Sequence, residues 1–174
     1  MSLSDSANPS SSPSDLTQTV PPKSGIPPWL RAWWPAIVWA VVISIFSTDP
    51  FSSAHTSRVI EPIFHWLFPS MTRFELEHAN HIIRKCAHFF EYFVFCMLLY
   101  HGIRATRRDA RAWHWSWALV CWLIAAVYSL FDEFHQTFVP SRGPSLRDSL
   151  IDSTAAFVAL VVLYFFYRSR GRSE

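Results

Sequence analysis

Two stretches of this chain, Trp113–Phe131 and Ser149–Tyr167, show no polar face at helical spacing. Their ionisable residues are His114, at the edge of the first, and Asp152, near the start of the second. A helix coating a soluble domain needs a wetted stripe every 3.6 residues, so neither stretch can do that work. A third run, Ala32–Ser47, carries no charge, and a fourth, Cys86–Tyr100, holds only His88 and Glu91 near its start. With interfacial ends included, each reaches the roughly 20 helical residues that cross a hydrocarbon core of about 30 Å. Pro35 is expected in the first turn of its run, where a missing N–H does little harm. These runs predict an all-α polytopic membrane protein with four transmembrane helices.

Composition agrees and removes other classes. Of 174 residues, 51% are hydrophobic, 17% aromatic and only 16% charged, more apolar mass than a wet surface of this size tolerates. The length suits one domain. A net charge of +2 is too small to suggest nucleic acid as a partner. Cys86, Cys96 and Cys121 lie in apolar surroundings without a C-x-x-C pair, against a disulfide framework or a thiolate zinc site.

Residues 1–28 stand apart. Eight are Ser and six are Pro, which leaves too little apolar surface to offset ordering entropy, so a disordered tail is expected. The membrane domain then covers residues 29–168, followed by a short basic tail at 169–174.

With four spans, the N-terminus, the loop after the second span and the C-terminus share one side. That side carries Lys23, Arg31, Arg104, Arg107, Arg108, Arg111, Arg168, Arg170 and Arg172. The other carries Arg58, Arg73, Arg84, Lys85, Arg142 and Arg147, mixed with most of the acids. The positive-inside bias therefore predicts both termini in the cytoplasm of a cell with a multi-pass cytoplasmic-membrane protein. Trp113, Trp115 and Trp117, with Tyr164 and Tyr167, would form the aromatic belt on that side. Between the first two spans, Val59, Ile60, Ile63, Phe64, Leu67 and Phe68 recur at helical spacing up to Pro69, an extracytoplasmic amphipathic segment. Thr72 and Glu75 have the spacing of a capping box opening a helix into the second span.

The scarce ionisable residues gather at one end of the spans. Arg84, Lys85, His88 and Glu91 enter the second, Asp132, Glu133 and His135 leave the third, and Arg142, Arg147, Asp148 and Asp152 enter the fourth. At about 100° per residue, Arg84, His88 and Glu91 fall within a stripe of roughly 60°. Asp148 and Asp152 share a face, and Asp132 is expected to share one with His135. A carboxylate such as Glu91 at that depth must face the bundle and find a partner or carry a proton.

Three chemistries fit the cluster. His88-x-x-Glu91 and Asp132-x-x-His135 could hold a divalent metal between helices. Arg84, Lys85, Arg142 and Arg147 could clamp a lipid phosphate, with His135 or Glu133 as general acid or base. The carboxylates and histidines could instead relay protons in a carrier. An ion-paired packing network is the competing structural explanation. Ser141-Arg142 with Asp148 and Asp152 copies the spacing of one lipid-phosphatase motif, but Asp148 stands where those enzymes need a nucleophilic His.

The same residues carry a resemblance. I-I-R-K-C-A-H-F-F-E-Y at 82–92, Y-S-L-F-D-E-F-H-Q-T-F-V-P-S-R at 128–142 and L-R-D-S-L-I-D at 146–152 resemble the VanZ-like family of small polytopic membrane proteins. That family reads approximately R-K-x-x-H-x-x-E-Y, D-E-x-H-Q-x-x-x-P-G-R and D-x-x-x-D. By motif, the resemblance implicates Arg84, Lys85, His88, Glu91, Tyr92, Asp132, Glu133, His135, Gln136, Pro140, Arg142, Asp148 and Asp152. Ser141 and Ala155 stand where the family usually has Gly. The family takes its name from a member associated with resistance to teicoplanin, a glycopeptide acting on wall precursors.

The resemblance thus implies a site open to the outer leaflet that binds an anionic envelope lipid or wall precursor. Arg84, Lys85, His88, Gln136, Arg142 and Asp148 would contact that ligand. The alternative is a membrane enzyme on a phosphate-bearing lipid, with Glu91, Asp132, Glu133, His135 and Asp152 nearest the chemistry; a proton-coupled carrier is the third reading. No cofactor follows from the sequence.

Overall fold

A computed structural model describes residues 26–48, 62–107, 113–138 and 145–170. Among these residues there are four long helices and no strand: α1 (Pro28–Phe46), α2 (Arg73–Arg107), α3 (Trp115–Gln136) and α4 (Leu146–Arg170). The tail expected to be disordered lies, up to residue 25, outside the described residues, as does the end of the chain from residue 171.

Local chemistry sets the helix starts. Pro28 opens α1, where a fixed φ and an absent N–H suit the first turn. Pro35 therefore falls inside the helix and not in its first turn, which removes one main-chain hydrogen bond. Thr72 and Glu75 do form the expected capping box. The Thr72 N–H donates to Glu75 Oε2 at 2.7 Å, and the Glu75 N–H reaches Thr72 Oγ1 at 3.4 Å. From that cap α2 runs unbroken for 35 residues, about 52 Å of rise. Ahead of it, residues 62–67 are helical and expose Ile63, Trp66 and Leu67, the described part of the amphipathic segment. Val59 and Ile60 lie outside the described residues.

The count of spans differs from the expectation of four. Three helices, α1, α3 and α4, are long and apolar enough to cross a membrane, and α2 is not among them. The reason is polar content: α2 interrupts its apolar run with His88, Glu91, His101 and Arg104. The chain is an all-helical membrane protein with three candidate spans.

Packing is inverted relative to a soluble bundle. The core is built largely of small residues, including Ala36, Ala118, Cys121, Ala125, Ala155, Ala156 and Ala159, which let backbones approach closely. Large side chains such as Leu123, Val127, Phe131, Phe157 and Phe165 point outward. Helix α2 is central, packing against α1, α3 and most extensively α4. Gly102 marks a close approach of α1 to α2, since a Cβ there would sit 3.1 Å from the ring of Trp33. Ala155, at the position where related sequences favour Gly, is fully buried in this core.

The two ends of the bundle differ in chemistry. At one, Tyr100 stacks on Trp113 at 4.8 Å, and Tyr164 meets both Trp113 and Trp115. Trp117 packs instead beneath His114, at 3.9 Å. Arg104, counted among the basic residues on the side of the termini, is buried here with its guanidinium 3.9 Å from the Tyr167 ring centroid. At the other end lie the acids.

Candidate functional site

The acid end is assembled from all four long helices. Helix α2 contributes Lys85, His88 and Glu91, one turn apart in succession. Helix α3 contributes Ser129, Asp132, Glu133 and Gln136, the i, i+3, i+4 and i+7 positions of one face, all buried. Helix α4 contributes Asp148, Ser149 and Asp152 from its first two turns. Ser47, the C-cap of α1, closes the cluster from the fourth side.

Hydrogen bonds tie these contributions together. Ser47 Oγ donates to Asp132 Oδ2 at 2.6 Å, joining α1 to α3. The Gln136 side-chain amide donates to the same oxygen at 3.1 Å. Ser129 Oγ donates to Asp152 Oδ2 at 2.7 Å, joining α3 to α4. The Ser145 N–H donates to Glu133 Oε2 at 2.8 Å, so the start of α4 is held by an α3 carboxylate. On α2, His88 Nδ1 lies 3.7 Å from Glu91 Oε2. The Glu91 carbonyl accepts from the indole N–H of Trp39 at 2.9 Å, which pins α1 at this level.

Charge is graded with depth. Lys85 pairs with Asp148 at the rim, where their side chains remain 26% and 21% exposed, whereas Asp152 is 1% exposed. Burial pulls the Lys85 ammonium below its ordinary pKa, the neighbouring Arg84 adds to that, and Glu133 and Asp152 oppose it. Arg84 is lowered by burial and raised by the field of Glu133. Asp152 in turn feels Glu133, Asp132 and Glu91. Two cations thus edge a cluster whose interior holds carboxylates.

Most residues implicated by the sequence therefore meet: Arg84, Lys85, His88, Glu91, Asp132, Glu133, Gln136, Asp148 and Asp152. His135 does not join them. It is exposed, because the inward face of α3 is set by Ser129, Asp132 and Gln136, and His135 is rotated off it. The facing His–carboxylate pairs that would hold a metal are therefore not assembled. Among the described residues no group of three or more His, Cys, Asp or Glu is arranged for metal binding. Arg147 and His81 are exposed, and Pro140, Ser141 and Arg142 lie outside the described residues.

The sequence reading missed Ser47, Ser129 and Asn80, which are all buried polar residues. Ser129 had a signal, since it sits one turn before Asp132. Ser47 had none, because its partner Asp132 lies 85 residues away.

The profile of the VanZ/LLP1 family matches residues 32–167, a segment that contains every residue of this cluster. The chain belongs to the VanZ/LLP1 family. No curated protein and no solved structure is a match. Within this family member, the three sequence motifs that carried the resemblance are the ones that α2, α3 and α4 fold against each other.

Proposed function

We propose that this VanZ/LLP1 protein binds the head group of an anionic envelope lipid or wall precursor at the acid end of its bundle. The observation that carries the reading is the depth gradient. Lys85 and Arg84 stand at the rim, where a phosphate would be met by charge-assisted hydrogen bonds. Asp132, Asp152 and Glu91 lie deeper, where they accept hydrogen bonds and suit the hydroxyl or amino groups of a head group below its phosphate. Buried carboxylates in a membrane bundle are costly unless they bind, pair or move protons. Arg142, next to the described start of α4, is a further candidate for the phosphate.

In this reading α2 crosses the membrane as well. Its Glu91 and Arg104 side chains are buried against neighbouring helices, so the cost of placing those charges in lipid is avoided. Four crossings then put both termini on the cytoplasmic side and the site at the outer leaflet of a bacterial cytoplasmic membrane. A cysteine placed by Asp109→Cys would label only from the cytoplasm; labelling from outside would reverse the orientation. We further propose a role in glycopeptide tolerance, tested by whether expression raises teicoplanin resistance in a susceptible strain.

The direct experiment is mass spectrometry of lipids that co-purify with the intact protein. A phosphate-bearing lipid enriched with the wild type should be depleted with Lys85→Gln and with Asp152→Asn. If both variants fold and keep the wild-type lipid in the same amount, the reading is wrong. The enzymatic alternative draws on the hydrogen-bonded Asp132 and Glu133 beside the rim cations, and predicts phosphate release from the retained lipid. A proton-coupled carrier, the third reading, predicts uptake that collapses with the proton gradient.

A further inference from the structure

We propose that a second lipid site lies at the opposite end of the bundle, on the flank between α3 and α4, and that it takes an anionic diacyl phospholipid. Ala118, Leu119 and Trp122 of α3 and Phe157, Val161 and Tyr164 of α4 line an almost wholly apolar cleft. The cleft exists because Ala118 is small between larger neighbours. It stays open because Trp122 is fixed, its indole N–H donating to the Ser153 carbonyl at 3.0 Å. From Trp115 to Trp122 the helix rises about 10 Å, enough to seat part of one acyl chain. On the flank of two candidate spans, an acyl chain is what fills such a cleft, since an empty one forfeits dispersion contacts.

Three features at the cleft mouth select the head group. Trp113 and Trp115 meet the Tyr164 ring at 5.5 and 5.3 Å and frame the opening. Arg168 Nη1 donates to Tyr164 Oη at 2.6 Å, which holds an exposed guanidinium at that opening with no ion pair among the described residues. The Trp113 indole N–H is buried and has no acceptor among the described residues. This is a donor set with an apolar slot beneath it, the complement of a phosphodiester carrying acyl chains. Aromatic rings flanked by arginine are common at membrane interfaces; the fixed cleft and the orphaned donor distinguish a site from a belt.

The proposal does not depend on the polar cluster, and its test excludes that cluster. The full-length protein with Lys85→Gln is placed in nanodiscs holding equal phosphatidylglycerol and phosphatidylcholine, and retained lipid is read by native mass spectrometry after release. Phosphatidylglycerol should be retained in preference. Adding Arg168→Gln should reduce that preference about fivefold, the equivalent of about 1 kcal/mol for one basic residue at an anionic head group. Leu119→Trp, an exposed position filled from the membrane side, should reduce retention of both lipids. Equal retention of the two lipids overturns the head-group assignment. Unchanged retention in Leu119→Trp, or a dimer that excludes lipid from this flank, overturns the cleft.

Discussion

Removing the hydroxyl of Ser129 isolates the most deeply buried acid of the polar cluster. Ser129 and Asp152 are 0% and 1% exposed, and the bond between them measures 2.7 Å. The other carboxylate oxygen, Oδ1, has no hydrogen-bond partner among the described residues, so Ser129 supplies the bond that holds this side chain. Two magnitudes compete. Interhelical hydrogen bonds between membrane helices average about 0.6 kcal/mol and reach about 1.7. Bonds to charged groups contribute about 1.5–3 kcal/mol. With Asp152 ionised, its bond to Ser129 belongs where the ranges overlap, so at a pH that ionises it the coupling should be about 1.5 kcal/mol. The assay is a double-mutant cycle of Ser129→Ala, Asp152→Ala and the pair, read by unfolding in mixed micelles; the cavity left by Asp152→Ala cancels within the cycle. A second cycle with Asp152→Asn keeps an acceptor oxygen but removes the charge, and its coupling to Ser129 should fall to about 0.6 kcal/mol. A coupling below about 0.5 kcal/mol in the first cycle would refute the reasoning, as would equal values in the two.

Gly102→Ala gains about 1 kcal/mol of helix propensity but presses a Cβ against Trp33, which is itself held by a 2.9 Å bond to Thr106. Thermal unfolding in detergent should find that substitution within about 1 kcal/mol of wild type, whereas Gly102→Leu, which no small shift accommodates, should lose about 2–3 kcal/mol. Arg104→Gln removes the guanidinium lodged between Tyr100 and Tyr167 and should lower stability by about 1–2 kcal/mol in the same assay. Glu75 is held below the usual carboxylate range, chiefly by the Thr72 N–H and then by its hydroxyl. A depressed folded value means the cap contributes above the ordinary glutamate pKa of about 4.3 and is lost as pH falls through the folded value. Protection factors in the first turn of α2, which remove the intrinsic pH dependence of amide exchange, should therefore fall on acidification, and not in Glu75→Gln.

Features that depend on near neighbours were legible in the sequence. The Thr72–Glu75 box needs only three residues of spacing, and the shared face of Asp148 and Asp152 needs only the helical period. The arrangement of α3 required more. Asp132 has a carboxylate or amide neighbour at both Glu133 and Gln136 and a histidine at 135, and periodicity alone permits either side to face inward. Ser129 breaks the tie, because 129, 132, 133 and 136 make one inward face and leave His135 outside it. Arg104 shows the same limit at the other end. Counting basic residues assigns it to a side, but only the folded positions of Tyr100 and Tyr167 explain why it is buried.

Helix α2 carries the point furthest. A test by length and apolarity weighs what a helix contains, whereas a bilayer responds to what a helix exposes. From Glu91 onward the buried residues of α2 run Glu91, Tyr92, Phe95, Cys96, Leu99, Tyr100, Gly102 and Arg104, so one of its acids and one of its arginines lie against other helices. Phe90, beside Glu91 in sequence, is turned outward. Of the polar residues that interrupt its apolar run, Glu91 and Arg104 are thus covered by its neighbours, whereas His101 is exposed. Uncovering that face should be selectively damaging: separating α1 by Gly102→Leu takes Trp39 away from the Glu91 carbonyl, so its cost should be larger in bilayers than in detergent, where water reaches the same group. Equal costs in the two environments would mean that α2 is not surrounded by lipid at all.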